Sequence, residues 1–547
     1  MNKNIKNITI VAVVLIAINY FNQSIYQRFD LTKDKRYTLS ETTKSILSNI
    51  DEPLFITVYL EGDFPSEFKR LQVETRQYLE ELAAKNSLIK IHFENPDDQR
   101  EELIKRGMMP SQLTVEEDGK MSEAIIFPWA EITNTKQTKT VSLLPTAIVA
   151  SQEDQLQVAI ENLEYSFSNA INAITTKDQK TIAFLHGNGE LADIYLISFL
   201  SKVAQKYKLA KFTLDSVAKN PQKTLQELNS FDMAIIAKPT QKFSSEEKFT
   251  LDQFIANGGK TLWMLDNVQA DQDSLLTSGR MLAYPRDLDV TDLLFSYGVR
   301  INTPLIKDLY SAKIALATGV VGNQPQFQNL DWFYHPLVNG NPYHPITKNI
   351  IPVRLQFANQ IDTLRNNIKK TPLLMSSPLT QKVGTPAIIE LQSIADEPEE
   401  KEYASGNQLF SVLLEGDFNS AYKNRVKPFE TSLYKENAIN NKMIIVSDGD
   451  VAKNQVLKGN PTDLQRDKWT NEEFGNKDFL LNAVDYLLDD SGLINLRNKT
   501  LKISILDKQK AYKERTFWQF VNVGLPLVLL FSFGLIFNFV RKRKYSR

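Results

Sequence analysis

The residues best suited to chemistry stand in one short run, His186-Gly187-Asn188-Gly189-Glu190, directly after the apolar stretch 181–185. An imidazole and a carboxylate at this spacing can donate and accept protons around a bound molecule. The two glycines let main-chain amides approach a ligand closely. In open α/β sheets, ligands bind beyond the carboxyl ends of strands, where this run falls. No serine or cysteine nucleophile stands in a strand–turn–helix elbow beside it. The plainer account is a tight turn whose Glu190 opens a helix from Leu191. Both accounts stay open, and the run is the candidate ligand-binding segment.

Other candidates are weaker. Gly258-Gly259-Lys260-Thr261 looks like the end of a phosphate-binding loop, but the position that should carry its first glycine is Phe254. The order is helix, glycines, strand. A phosphate cradle needs strand, glycines, helix, so that amides at the helix start face the anion. The segment therefore reads as a helix stop, with no ATP site. Asp266, Asp271 and Asp273, and separately Asp448 and Asp450, follow apolar strands but lack the spacing of a calcium loop. His335 and His344 each precede proline, and two histidines alone make a poor metal centre. No catalytic residue, metal site or cofactor is assigned.

Composition narrows the choice. The 547 residues carry 64 Lys+Arg and 65 Asp+Glu, a formal net charge of −1, with 42% hydrophobic and 24% charged residues. That is a globular balance with no basic field to hold nucleic acid. With no cysteine and four histidines, disulfides, thiolate metal sites and thiol catalysis are excluded.

The elements that must position these residues alternate. Segments 55–60, 89–93 and 124–127 read as strands, with a helix over 66–82 between the first two, a small α/β domain of thioredoxin-like size. Ser40 reads as the N-cap of a helix over 41–47. Apolar residues Ile160, Leu163, Phe167, Ile171 and Ile174 recur at helical spacing in the connector 155–175, which is expected to pack on its own domains. Strands at 181–185, 211–214, 233–237, 261–266 and 443–446 alternate with helices from Leu191 and at 248–256, 290–297 and 479–488. That pattern predicts a parallel, doubly wound sheet. A Ser244–Glu247 capping box opens the helix at 248–256, and 301–425 reads as irregular.

The two ends are apolar. Segment 8–21 follows Lys3 and Lys6 and shows no small-residue cleavage site, so it reads as an uncleaved anchor. Segment 517–540 is long enough to cross a bilayer and runs into Arg541-Lys542-Arg543-Lys544. Basic flanks at both ends put both termini in the cytoplasm and the large middle region in the periplasm, tethered to the inner membrane. Asn522, Gly524 and Gly534 are the candidate contacts to a membrane partner, because small and polar residues let another helix approach.

These features, taken with DLTKDKRYTLS (30–40), AIENLEYSFSN (159–169), FLHGNGEL (184–191), GGKTLWMLD (258–266), DLLFSYGVRIN (292–302), KKTPLLMSS (369–377) and SDGD (447–450), resemble the GldG family of gliding-motility ABC-transporter auxiliary proteins. The resemblance spans nearly the whole chain. It implies a non-catalytic accessory subunit working with an ABC permease and an ABC ATPase on separate chains. It also implies a middle domain related in fold to class I glutamine amidotransferases, whose Cys–His chemistry cannot carry over to a chain without cysteine. The expected layout is an anchor at 1–24, a small α/β domain at 25–150, a helical connector at 151–178, a doubly wound α/β domain with an irregular insertion at 179–515, and a transmembrane helix with basic tail at 516–547. The rivals are a membrane-tethered periplasmic hydrolase or carbohydrate-binding protein using the His186 loop, and a structural envelope linker.

Overall fold

The computed structural model describes residues 30, 38–62, 66–117, 120–144, 152–176, 179–322, 324–499 and 508–545. The expected N-terminal anchor at 8–21 and most of the charged stretch after it lie outside the described residues. The chain divides into two compact units, Met1–Lys499 and Thr500–Arg547.

In the first unit, helix α1 (Glu41–Ser48) starts at Ser40, whose hydroxyl accepts the Thr43 N–H as the sequence predicts. Strand β1 (Leu54–Val58), helix α2 (Ser66–Lys85) and strand β2 (Ile89–Phe93) form a βαβ unit with β1 and β2 parallel. The segment expected as the third strand instead closes a separate hairpin, β3 (Ser111–Glu117) against β4 (Lys120–Ile126). The sheet is completed by β5 (Trp129–Thr133) and β6 (Thr138–Ser142), in the order β2-β1-β5-β6. Strand β5 escapes a hydrophobic reading because Glu131 interrupts it. That carboxylate is buried, taking hydrogen bonds from the Tyr59 hydroxyl at 2.8 Å and from Arg106 at 2.7 Å.

Helix α3 (Gln152–Thr175) lays the stripe Ile160, Leu163, Phe167, Ile171 and Ile174 into the interior, each at most 5% exposed. It also carries a polar clamp. Glu164, 4% exposed, accepts from the Ser40 N–H and the Thr43 hydroxyl, each at 2.8 Å, and pairs with Lys499 at 2.8 Å. One carboxylate thus joins the start of α1 to the last residue of the unit. Burial would raise its pKa, but Lys499 and the two donors hold it below the ordinary value.

The large sheet contains β7 (Thr181–His186), β8 (Lys208–Thr213), β9 (Met233–Ala237), β10 (Lys260–Met264), β11 (Ser311–Val321), β12 (Gln324–Gly340), β13 (Lys369–Met375), β14 (Leu409–Asn419) and β15 (Asn437–Val446). Along the sheet they run β11-β12-β13-β14-β15-β10-β9-β7-β8, and the short strand Val353–Arg354 joins β12. The run β8-β7-β9-β10-β15 is parallel. Both faces are covered, as a parallel sheet requires. Met233, Ile235 and Ala237 of β9 pack with Phe199, Phe479 and Leu487 on one face, while Ala234 and Ile236 pack with Leu251, Phe254 and Leu293 on the other. Helix α4 (Ser245–Ala256) opens with the expected Ser244–Glu247 capping box and stops at Asn257-Gly258-Gly259. Helix α5 (Asn476–Leu488) covers the first face.

Two expectations change here. No α-helix starts at Leu191; Leu191 donates to the Ala237 carbonyl, a single 3-10 turn spans Asp193–Tyr195, and the helix begins at Ile197. The stretch 301–425 is not irregular but supplies the antiparallel half of the sheet, β11 to β14. Its polar, Pro-interrupted strands hide the alternation that would reveal them.

The second unit holds the helix α6 (Arg515–Tyr545), 31 residues with Pro526 inside it. By length and composition it can cross a membrane, and none of its apolar span is buried.

Candidate functional site

The parallel strands run in the order second, first, third, fourth, fifth, so the strand order reverses between β7 and β9. Ligand crevices of open α/β sheets form at such a reversal, outside the carboxyl ends. The run His186–Glu190 sits there, closing β7. The segment after β9 folds onto it, with Thr240 and Gln241 donating N–H bonds to the Asn188 carbonyl, both at 2.9 Å. The Asn188 side chain donates to Glu247 at 3.1 Å, and Glu190 takes the Asn188 N–H at 2.9 Å. Gly189 has φ +73°, and a Cβ there would stand 2.1 Å from the Thr240 hydroxyl. His186 stacks edge-on against Phe184 and stands 3.5 Å from Asp193. Burial lowers its pKa, and burial raises that of Glu190. The five residues are together and joined to the neighbouring loop, while His186 Nε2, Asn188 Oδ1 and Glu190 Oε1 are buried without a hydrogen-bond partner.

Beyond β9, β10 and β15 the structure brings together residues the sequence keeps apart. Lys238, in a left-handed conformation at φ +54°, is 8% exposed. Its ammonium pairs with Asp450 and with Asp266 at 3.3 Å. Gly449, in the turn between Asp448 and Asp450, approaches so closely that a Cβ would meet the Lys238 side chain at 2.6 Å. Gly449 also donates its N–H to Asp266. Asp448 accepts from the Gln356 N–H at 2.8 Å and the Asp450 N–H at 2.7 Å. Burial, then the facing carboxylates of Asp266 and Asp450, pushes Asp448 well above the usual carboxylate range. Burial would lower the Lys238 pKa, but Asp450 and Asp266 raise it, so the ammonium stays charged. The cluster is a closed ionic knot across three strand ends. Among the described residues no group of three histidine or acidic side chains is arranged to hold a metal ion. The two acidic clusters of the sequence thus meet around two lysines, because Asp271 and Asp273 face Lys453 at 3.8 and 3.2 Å. Lys238 went unnoticed, although a lysine ending a strand as apolar as β9 was the available signal.

Beside the knot opens a cavity of about 300 Å³. His335 of β12, Arg354, Gln272, Lys453, Tyr195 and Trp469 line it. His335 is 3% exposed, and neither ring nitrogen has a hydrogen-bond partner. Both side-chain heteroatoms of Gln272 are likewise unpartnered. Arg354 pairs with Asp467 at 2.7 Å. His344, the other histidine before a proline, packs elsewhere against Tyr486, and burial lowers its pKa to about 4.

In α6, Asn522, Gly524 and Gly534 do not share a face. At about 100° per residue, the glycines lie about 80° apart, and Asn522 is about 160° from Gly524 and about 120° from Gly534. A helix packed on the glycines leaves Asn522 on the far side.

Fold and site together define a mixed α/β protein with a ligand-sized cavity at its sheet edge and an apolar C-terminal helix able to associate with a membrane. The chain belongs to the ABC-type uncharacterized transport system family, whose profile matches residues 179–483. Residues 33–133 match a domain of unknown function, DUF7088. A protein of Borreliella burgdorferi is 20% identical over 554 residues, covering 98% of this chain and 97% of that one; its printed name is "Uncharacterized protein". Among solved structures, the "mmIFT52 N-terminal domain" is 12% identical, with a TM-score of 0.32 over 57% of this chain and 99% of that structure. A thua-like protein from Parabacteroides merdae is 9% identical, with a TM-score of 0.27 over 60% of this chain and 94% of that structure. At those scores neither establishes a common fold. Membership of the transport-system family makes the chain an accessory component of such a system.

Proposed function

We propose that this chain is a non-catalytic, double-anchored accessory subunit of an ABC export complex of the GldG kind, serving gliding motility. It works with an ABC permease and an ABC ATPase on separate chains. The observation that carries the transport role is the family match over 179–483. The exposed apolar helix α6, ending in Arg541–Lys544, supports membrane anchoring with that end in the cytoplasm and the large unit in the periplasm. The order β2-β1-β5-β6 supports a thioredoxin-like reading of 25–150, and the parallel run of the large sheet supports an amidotransferase-like reading of 179–515. The loop His186–Glu190, tied through the Asn188 carbonyl to Thr240 and Gln241, serves best as the turn that seats β7 against β9.

Pull-down of the full chain from gently solubilised native membranes tests this. Recovery of an ABC permease and an ABC ATPase is expected; recovery of neither overturns the assignment. On intact spheroplasts, external protease is expected to digest 22–516 and spare a tag after Arg547. Replacing 517–540 by an unrelated apolar helix is expected to keep the topology and lower permease recovery.

A further inference from the structure

The cavity beside the ionic knot belongs to none of the roles above, and its polar groups are unevenly matched. Two of its three cations are already paired with carboxylates. Arg354 is held by Asp467, Lys453 by Asp271 and Asp273, and the Lys468 ammonium donates to the Val456 carbonyl at 2.8 Å. An anion would therefore meet one ammonium without a carboxylate partner, Lys468, set among the carboxylates of Asp273 and Asp467. The unmatched groups are neutral. Burial, then the nearby Arg354, holds His335 well below the usual imidazole value, so one ring nitrogen donates and the other accepts. The Gln272 amide likewise offers a donor and an acceptor, all without protein partners. Buried polar atoms are nearly always hydrogen-bonded, so four such atoms around one cavity point to a missing partner.

That partner must both donate and accept while carrying no charge, which is what a hydroxyl does. The lining carries Tyr195 and the 60% exposed Trp469, whose flat rings suit the C–H face of a small ring. At about 300 Å³ the cavity lies at the small end of ligand pockets, roughly 300–1,000 Å³. We propose that this cavity binds a neutral, hydroxyl-rich molecule of about one sugar ring, held by His335 and Gln272 and covered by Trp469. The site goes beyond the transport role and can be lost or kept independently of partner recovery.

The test uses the full chain in a detergent without a sugar headgroup. Glucose, galactose, N-acetylglucosamine and myo-inositol are titrated by calorimetry and saturation-transfer NMR, with inorganic phosphate and glycylglycine as the contrasting arms. Saturable binding of at least one neutral polyol, with Kd below about 10 mM, is expected. Trp469→Ala and Gln272→Ala should each weaken it at least about tenfold, with unchanged melting temperature. His335→Phe, which keeps a ring and removes both nitrogens, should abolish it. Tyr343→Ala, an exposed aromatic elsewhere, should leave it intact. The proposal is overturned if no polyol binds in that range, if phosphate or the dipeptide binds and the polyols do not, or if Trp469→Ala and Gln272→Ala both bind as the parent does.

Discussion

Two neighbouring regions of the first unit handle buried polar groups in opposite ways. Around Lys238 the carboxylates meet ammonium groups and main-chain N–H groups, with Asp266 Oδ2 and Asp450 Oδ1 facing lysine charge without a hydrogen bond, and Gly449 closes over them. Around His335 and Gln272, polar atoms equally withdrawn from solvent stand unmatched beside open volume. A matched set ties strand ends together and leaves nothing for a ligand. An unmatched set beside open volume leaves donors and acceptors free to bond a guest. Charge density alone would have pointed to the first region; the state of the hydrogen bonds points to the second.

The largest effect should come from breaking the matched set. Lys238→Met strands the buried carboxylates without their cation. About 3–5 kcal/mol of unfolding free energy should be lost, read by denaturant titration of the solubilised chain. A loss under about 1 kcal/mol would mean that the knot does not tie the strand ends.

A second matched set, remote from Lys238, offers a pH test. Glu164→Gln keeps the shape but weakens the bond to Lys499 and should cost about 1.5–3 kcal/mol at neutral pH. The folded carboxyl is held below its ordinary value of 4.5. The unfolded chain therefore binds the proton first as pH falls, and the Glu164 contribution, fully present above about 4.5, is lost as pH drops through the folded value. Melting curves of parent and Glu164→Gln should converge on acidification. Curves that stay parallel would detach this clamp from the ion pair.

Gly189→Ala probes whether the His186 loop behaves like the matched region. A side chain at φ +73° facing the Thr240 hydroxyl should cost about 1–2 kcal/mol, with binding in the His335 cavity unchanged by calorimetry. The smallest effect is expected in the unmatched region itself. His335→Phe removes two nitrogens that have no partner, so stability should stay level or rise by up to about 1 kcal/mol. A loss comparable to that of Lys238→Met would erase the contrast between the two regions.

Much of the α/β framework was legible, for identifiable reasons. Strand β9 is five consecutive buried apolar residues, and α4 opens with a local capping box, so both show without tertiary information. The helical stripe of α3 is equally local. Strand β5 was hidden by Glu131, which is interior only because Tyr59 and Arg106 come from elsewhere in the chain to meet it. The antiparallel strands β11 to β14 were hidden because their partners, not their own periodicity, make them strands.

The candidate site divides the same way. Composition by itself excluded thiol chemistry, and the spacing of apolar residues placed the His186 loop after a strand. Periodicity and capping act within a few residues, so a linear chain displays them. That Asp266, Asp448 and Asp450 converge on Lys238 depends on the lateral order of β9, β10 and β15, which no local pattern encodes. That His335, rather than His344 or His186, faces a cavity with both nitrogens free was decided only by how the antiparallel half folds back beside the parallel one. Whether a buried polar atom is satisfied is a property of its neighbours in space, and those come from segments more than a hundred residues apart.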